Sequence, residues 1–402
     1  MRGGLMLDVT DGSRTSVHRL TAGRLTLRVM DGSQEGLFRI AERINPKRSF
    51  LFVSDVLGRH VPVRPSDHMR SVRSLVDLCG PLGSGGPVLV MGYAETAVGL
   101  GAAVAREIAR RNPGSETLYL SSTRHPVPGR GWLSFSEGHS HATDHHVMRP
   151  DPHPALYGEG ATLVLVDDET TTGSTFIALI DALIGGGLRF SRVLLLTLTD
   201  WSEGAAERAV GARLPGTPVR SVSLARGSWL WEPDPNARPP EVPKILPGSE
   251  RNRAGIWVPS GGGSPRVGLN GRDDRWDLVS DQLIGRGVGR DRPVLVIGTG
   301  EHVWGPMRVA ERLEDQGLEV RMLATTRSPV LQGDVVRHKL TFADHFGVGV
   351  PMYLHNVPAR PDVDVLLMTE TGAERICQTL RSHIGRGLII DGSDTITEFY
   401  TT

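Results

Sequence analysis

Only two cysteines, Cys79 and Cys377, occur in 402 residues. Far apart, they supply neither a disulfide framework nor zinc-ligand spacing, and a reducing cytoplasm is the expected setting. A prevailing charge is missing too, because Lys+Arg and Asp+Glu number 45 each. That balance argues against a nucleic acid or a membrane surface as the main partner, while leaving room for a local basic patch. No apolar run approaches the roughly 18 residues of a membrane span. The opening "MRGGLMLDVTDGSRTS" lacks the apolar stretch of a secretory leader. Arginine outnumbers lysine, and Gly (49) and Pro (27) are plentiful, which reflects base composition more than function. What remains is a soluble α/β chain, long enough for two domains.

Short aliphatic runs dominate, each followed by a turn and then a helical pattern. In the first half these are "PVLVMG" (87–92), "ETLYLSS" (116–122), "ATLVLVD" (161–167) and "RVLLLTLTD" (192–200). Strands this apolar are buried on both faces, which predicts a parallel sheet covered by helices. "TFIALIDALIGGG" (175–187) is the helix between the last two, closed by glycines. The proline-dense "EPDPNARPPEVPKILPGSE" (232–250) and then "PSGGGSP" (259–265) read as linkers. The alternation resumes at "PVLVIG" (293–298), "LEVRMLA" (318–324) and "VDVLLMTE" (363–370). The expected division is an N-terminal extension (1–30), a first domain (31–225), a Pro-rich linker (226–250) and a second domain (251–402).

The second half echoes the first. "VLVMGYAETAVG" (88–99) aligns without gaps on "VLVIGTGEHVWG" (294–305), pairing Glu95 with Glu301. "STRHPV" (122–127) aligns on "TTRSPV" (325–330), pairing Arg124 with Arg327. "ATDHH" (142–146) aligns on "FADHF" (342–346), pairing Asp144 with Asp344 and His145 with His345. With the strands before Glu169 and Glu370, four matched blocks in one order predict a tandem duplication.

The most informative stretch is "LVLVDDETTTGSTF" (163–176). A buried strand ending in Asp167-Asp168 places two carboxylates at the carboxyl edge of a parallel sheet, where α/β proteins bind ligands. Thr171, Thr172, Gly173, Ser174 and Thr175 then lead into a helix, whose free N–H groups and dipole suit a phosphate. Gly173 lets the backbone approach it closely. Two carboxylates upstream suit the vicinal hydroxyls of a ribose, directly or through magnesium. The stretch is neither a Walker A loop, since it has no lysine, nor a dinucleotide fingerprint, since its loop has one glycine.

Four aliphatic residues, two acids, a short spacer and a Thr/Gly/Ser loop resemble the PRPP-binding motif of type I phosphoribosyltransferases. The resemblance implies that Asp167 and Asp168 contact the ribose hydroxyls and that Thr171–Thr175 hold the 5′-phosphate, with Thr170 beside them. Two departures stand out. Purine-specific members often carry Asp where Thr171 stands, and the spacer position of Glu169 is usually apolar. More narrowly, the chain resembles a fused architecture from gene clusters of tellurite resistance and stress. There a phosphoribosyltransferase-like domain precedes a domain named for its Thr-Arg-Ser-Pro motif, here Thr326-Arg327-Ser328-Pro329. The implied fold is a pair of tandem type I phosphoribosyltransferase-like α/β domains, the C-terminal one degenerate.

In that family the loop after an earlier strand holds pyrophosphate, and here the position is Gly92–Gly101. Gly92, Tyr93, Ala94 and Thr96 are compatible with close backbone approach. Glu95 is unexpected beside pyrophosphate. It reads as a magnesium ligand or a contact to a cationic acceptor, or else as a helix-start carboxylate. Arg124 is the candidate for countering pyrophosphate charge, with Arg130 behind it; the recurrent Thr-Arg-x-Pro-Val also suits a structural turn. The long His-rich segment 129–154 reads as a lid. His139, His141 and His145 have metal-ligand chemistry, but substrate contact or packing is the reading preferred. The second half keeps Glu301, Arg327, Asp344 and Glu370-Thr371 but lacks the acid pair and the hydroxyl loop, so it is not expected to bind PRPP in the same way. Arg253, Trp257, His302 and Trp304 are its candidates for completing the site or an acceptor pocket.

Together these readings give a cytoplasmic, Mg²⁺-dependent phosphoribosyltransferase taking PRPP and a small-molecule acceptor. Asp167 and Asp168 would hold the metal directly or through water. The pairing habit of such domains implies an intramolecular pseudo-dimer or a homodimer. Two other readings stand beside it: a non-catalytic PRPP-binding regulator, and a PRPP-synthetase-like enzyme, for which no ATP site is visible.

Overall fold

A computed structural model describes residues 5–10, 13–32, 34–45, 48–82, 86–136, 144–150, 160–238, 264–270 and 275–401. The chain opens with three antiparallel strands, β1 (Leu5–Thr10), β2 (Ser13–Leu20) and β3 (Gly23–Gly32). A separate hairpin follows, β4 (Phe38–Glu42) with β5 (Phe50–Ser54). Then come α1 (Pro65–Cys79), β6 (Val88–Gly92), α2 (Ala97–Arg111) and β7 (Thr117–Thr123). A second hairpin pairs β8 (Gly131–Ser136) with β9 (Asp144–Met148). β10 (Thr162–Thr170), α3 (Ser174–Gly185), β11 (Arg192–Asp200), α4 (Ala205–Arg213) and β12 (Val219–Pro233) complete the first half.

These strands make a ten-stranded sheet in the order β1-β2-β3-β12-β11-β10-β6-β7-β9-β8. It is parallel from β12 through β11, β10 and β6 to β7. Alternation explains why the central strands carry almost no polar residue. Val164 and Val166 of β10 face the core beneath α1 and α2, whereas Leu163 and Leu165 face the one beneath α3. Successive side chains point to opposite faces, and here both faces are covered.

Three elements differ from the sequence expectation. β10 runs on past the acid pair to Thr170, because Glu169 and Thr170 still pair with Thr199 and Asp200 of β11. β12 likewise continues to Pro233, where Ala225–Pro233 pair with β3. Residues 13–32 therefore belong to the main sheet, and residues 226–233 are strand. The His-rich segment carries a hairpin on the sheet edge, because alternating "WLSF" and "HHVM" can pair and bury Phe135 and Val147; its tip, 137–143, lies outside the described residues.

The second half comprises α5 (Arg275–Gly285), β13 (Val294–Gly298), α6 (Trp304–Asp315), β14 (Val320–Ala324), β15 (Lys339–Ala343) and β16 (Pro351–His355), then β17 (Asp364–Met368), α7 (Gln378–Ile384), β18 (Arg386–Ile390) and β19 (Ile396–Tyr400). Its sheet order, β14-β13-β17-β18-β19, matches β7-β6-β10-β11-β12, and the β15–β16 hairpin stands where β8–β9 does. Two features are reduced. β19 runs antiparallel to β18, and no helix separates them. A 3-10 turn (Ala373–Arg375) and α7 replace the helix that follows the acid pair. The duplication is thus a repeat of topology, with a degenerate second copy.

The halves share a core. One apolar cluster runs from Val72 and Leu100 to Leu313 and Met322. Arg106 reaches across to Glu311 at 2.6 Å, and Met322 N donates to Val63 O at 2.8 Å. Among the described residues no helix is long and apolar enough to cross a membrane.

Candidate active site

The end of β10 carries three consecutive carboxylates, each held differently. The Asp168 backbone N–H donates to Asp167 Oδ1 at 2.9 Å, and Thr96 Oγ1 donates to Asp168 Oδ1 at 2.9 Å. Burial and the neighbouring Glu169 charge push the Asp168 carboxyl up from its ordinary value. Glu169 takes a two-pronged bond from Arg48, at 2.5 and 3.1 Å. Arg48 in turn lies over the Phe50 ring at 4.7 Å and near Trp229 at 5.5 Å. The unusual acid in the spacer therefore anchors the β4–β5 hairpin to the strand end.

Beyond Thr170 the chain turns at Gly173, whose φ is +75°. A Cβ there would also meet the Ala206 Cβ at 2.8 Å, so glycine is required twice over. Ser174 N donates to Thr172 Oγ1 at 3.3 Å, and α3 begins at Ser174. Hydroxyls and helix-start N–H groups thus converge two residues from the carboxylates, an arrangement suited to an anion.

The loop after β6 forms the adjoining wall. Gly92 lies beneath it rather than on the surface, because a Cβ would fall 2.5 Å from both Ala97 O and Tyr119 Oη. Ala94 N donates to Ser122 Oγ at 3.0 Å, and that oxygen lies 2.9 Å from His145 Nδ1. His145 stacks on Phe135, centroids 4.8 Å apart, so it is a packed core histidine; His139 and His141 lie outside the described residues. The Ala94–Glu95 peptide is cis. Arg124, just beyond β7, approaches Ala94 O with Nη2 at 3.5 Å. Its buried Nη1 donates to none of the described residues.

Glu95 faces the second half. Its Oε2 accepts from Thr326 Oγ1 at 3.2 Å and from Arg327 N at 3.3 Å, and Arg327 Nε lies 3.4 Å from Oε1. Buried Arg59 stands 3.9 Å from the carboxylate while donating to Gly300 O and Thr325 O at 2.7 and 2.9 Å. The same arrangement recurs with the halves exchanged. Glu301 accepts from Thr123 Oγ1 at 2.5 Å and Arg124 N at 2.8 Å, and Arg266 Nη2 lies 2.9 Å away. Each half therefore reads the other's Thr-Arg pair with its own glutamate, the i-to-j and j-to-i pattern of a two-fold interface within one chain.

The second copy of the site is closed. Arg266, from the segment 264–270, bonds both Glu301 and Glu370. Burial by itself would raise the Glu301 pKa, but Arg266 leads the groups that bring it down to about 2. Burial likewise disfavours the Arg266 charge, yet Glu370 and Glu301 lift its pKa above the ordinary arginine value. Trp304 is buried there and His302 half-buried, and desolvation depresses His302 to about 3; Arg253 and Trp257 lie outside the described residues.

The first copy is open. A cleft of about 550 Å³ is lined by Asp167–Thr175, by Tyr93–Thr96, by Arg124, and by Arg43 with Thr326–Pro329. Of the first-half residues expected to hold PRPP, Gly92 and Arg130 do not line it; His145 is packed in the core, and Glu301, His302 and Trp304 lie at the second copy. Arg43, Arg48, Arg59 and Arg266 carried no local signal, because each acts on a residue distant in the chain.

Two family models match. One, described as a phosphoribosyl transferase, covers residues 37–228, and the other, a TRSP domain C-terminal to that transferase domain, covers 272–381. No curated protein matches the chain. Among solved structures, adenine phosphoribosyltransferase from Rhodothermus marinus DSM 4252 is 20% identical, with a TM-score of 0.31 over 46% of this chain and 92% of that one. Orotate phosphoribosyltransferase from Aeropyrum pernix is 20% identical, with a TM-score of 0.28 over 44% and 80%. Adenine phosphoribosyl transferase from Trypanosoma brucei, in complex with AMP, pyrophosphate and ribose-5-phosphate, is 13% identical, with a TM-score of 0.34 over 48% and 81%.

Proposed function

From a chain that belongs to the family joining a phosphoribosyl transferase domain to a C-terminal TRSP domain, we infer transfer of the 5-phosphoribosyl group of PRPP to a small-molecule acceptor. The observation that carries it is the convergence of acid pair, hydroxyl-rich helix start and Arg124 on one cleft. Asp167 and Asp168 take the ribose hydroxyls. Thr171–Thr175 and the start of α3 take the 5′-phosphate. Tyr93–Thr96 and Arg124, backed by Arg327 of the second half, take the pyrophosphate.

In the reaction the bond from ribose C1 to the pyrophosphate oxygen breaks with its electron pair, and an acceptor lone pair makes the new bond at C1. Positioning and charge stabilisation do the rest. Asp167 and Asp168 fit magnesium: they are hard oxygen donors, and the raised Asp168 pKa marks negative charge that a cation relieves. Two carboxylates suit an ion that keeps water and takes its other ligands from a phosphorylated substrate. When bound, Mg²⁺ supplies charge neutralisation for the leaving group.

Calorimetry of PRPP with and without Mg²⁺, on the native protein and on Asp167→Asn/Asp168→Asn, tests this reading. Binding that depends on the acid pair supports it, and acceptor screening by pyrophosphate release follows. Failure of the native protein to bind PRPP sinks it. Binding without turnover on any acceptor favours a PRPP-sensing role.

A further inference from the structure

Resting on the transferase reading, we propose that the acceptor is a carboxylate-bearing small molecule and that Arg43 holds its carboxylate. Arg43 lies just past β4 and lines the same cleft as the ribose grip. Its backbone is fixed: Arg43 N donates to Ser49 O at 3.0 Å, residue 43 bridges to Val330, and Ile44 N donates to Pro329 O at 3.3 Å. Its Nε donates to Arg48 O at 3.0 Å, whereas its two terminal nitrogens donate to none of the described residues.

The other charges around it are already spent. Arg48 is taken by Glu169, and Glu95 by Arg59, Thr326 and Arg327. Asp167 and Asp168 turn to the ribose hydroxyls once the donor is bound. That leaves Arg43, close enough to Asp168 and Glu169 to feel their charge, as unspent positive charge in the cleft lining beside the strand-end acids. Burial, and then Arg48, already depress its pKa to about 10, so its surroundings under-compensate the cation. Both phosphate-bearing ends of the donor have their own places, at α3 and at Arg124. Pro329, whose carbonyl accepts from Ile44 N, is an apolar residue of the same lining.

The test uses full-length protein loaded with Mg²⁺ and ribose 5-phosphate, which occupies the ribose grip without turnover. Matched probes, nicotinate against nicotinamide and orotate against uracil, are titrated at pH 8. At least one acid is expected to bind about tenfold or more tighter than its uncharged counterpart. That preference should shrink to within about twofold in Arg43→Gln and be partly kept in Arg43→Lys. Unchanged ribose 5-phosphate affinity in Arg43→Gln shows that the fold and the grip survive. Acids that bind no better than their counterparts, no binding by any probe, or an acid preference that persists in Arg43→Gln overturns the assignment. If the native protein does not bind ribose 5-phosphate, the transferase reading itself falls, and this inference with it.

Discussion

Replacing Arg266 by methionine would leave Glu301 and Glu370, each 4% exposed, as buried carboxylates without the cation they share. Removing one partner of a buried ion pair costs about 3–5 kcal/mol, far more than an exposed pair is worth. The depressed Glu301 pKa, brought down by Arg266 first and by His125, Thr123 and Arg124 besides, points the same way. Its fall from 4.5 to about 2 corresponds to roughly 3 kcal/mol in favour of the folded state. A folded pKa below the unfolded one means that this stabilisation is present above about pH 4.5 and is lost as the pH falls toward 2. Urea unfolding at pH 7, followed by circular dichroism, should therefore show Arg266→Met destabilised by about 3 kcal/mol or more. The triple variant Arg266→Met/Glu301→Gln/Glu370→Gln should recover much of that loss, because the buried charges leave together. A loss below about 1 kcal/mol in Arg266→Met would show that water reaches the cluster and would refute the view of it as a buried lock between the halves.

Other expectations follow from the same geometry. Gly173→Ala forces a φ of +75° on a residue with a Cβ and drives that Cβ into Ala206. It should cost about 1–3 kcal/mol in thermal or urea unfolding and weaken ribose 5-phosphate binding in calorimetry. Arg124→Gln and Arg327→Gln should each weaken pyrophosphate binding about tenfold while leaving ribose 5-phosphate binding within about twofold; equal loss of both ligands would mean that the arginines only support the fold. Burial holds His125 and His345 at about 4 and His302 and His355 at about 3. With folded pKa values below the unfolded 6.5, their neutral forms stabilise the protein fully above about pH 6.5, and that support is lost as the pH falls toward 4 and 3. The urea midpoint should therefore drop between pH 7.5 and pH 5, and a flat profile would show these rings to be solvated.

The parts of this site written in the sequence are those whose chemistry is local. The acid pair, the hydroxyl loop and Gly173 are neighbours along the chain, so the residue types declare the strand end, the turn and the helix start before any folding is considered. The matched Glu95 and Glu301, and Arg124 and Arg327, were legible as a repeat, and the matching sheet orders follow from it. What the repeat did not disclose is that the matched residues serve each other crosswise. A self-alignment pairs Glu95 with Glu301, whereas the fold pairs Glu95 with Thr326-Arg327 and Glu301 with Thr123-Arg124. Within one copy, glutamate and Thr-Arg both sit at the carboxyl edge of the sheet. Only packing the copies face to face sends each to the other's partner, and a linear pattern does not encode that docking. The same crossing explains the unequal fates of the two sites. In the second copy, Arg266 comes from the segment between the halves and is bound by Glu301 and Glu370, so that site is filled by its own chain. In the first, Arg59 is drawn toward Gly300 O and Thr325 O of the other half, and the strand-end acids stay open to the cleft. Loss of the acid pair in the second half and its retention in the first are thus two sides of one arrangement, in which one copy has become the fixed partner that walls the other's site.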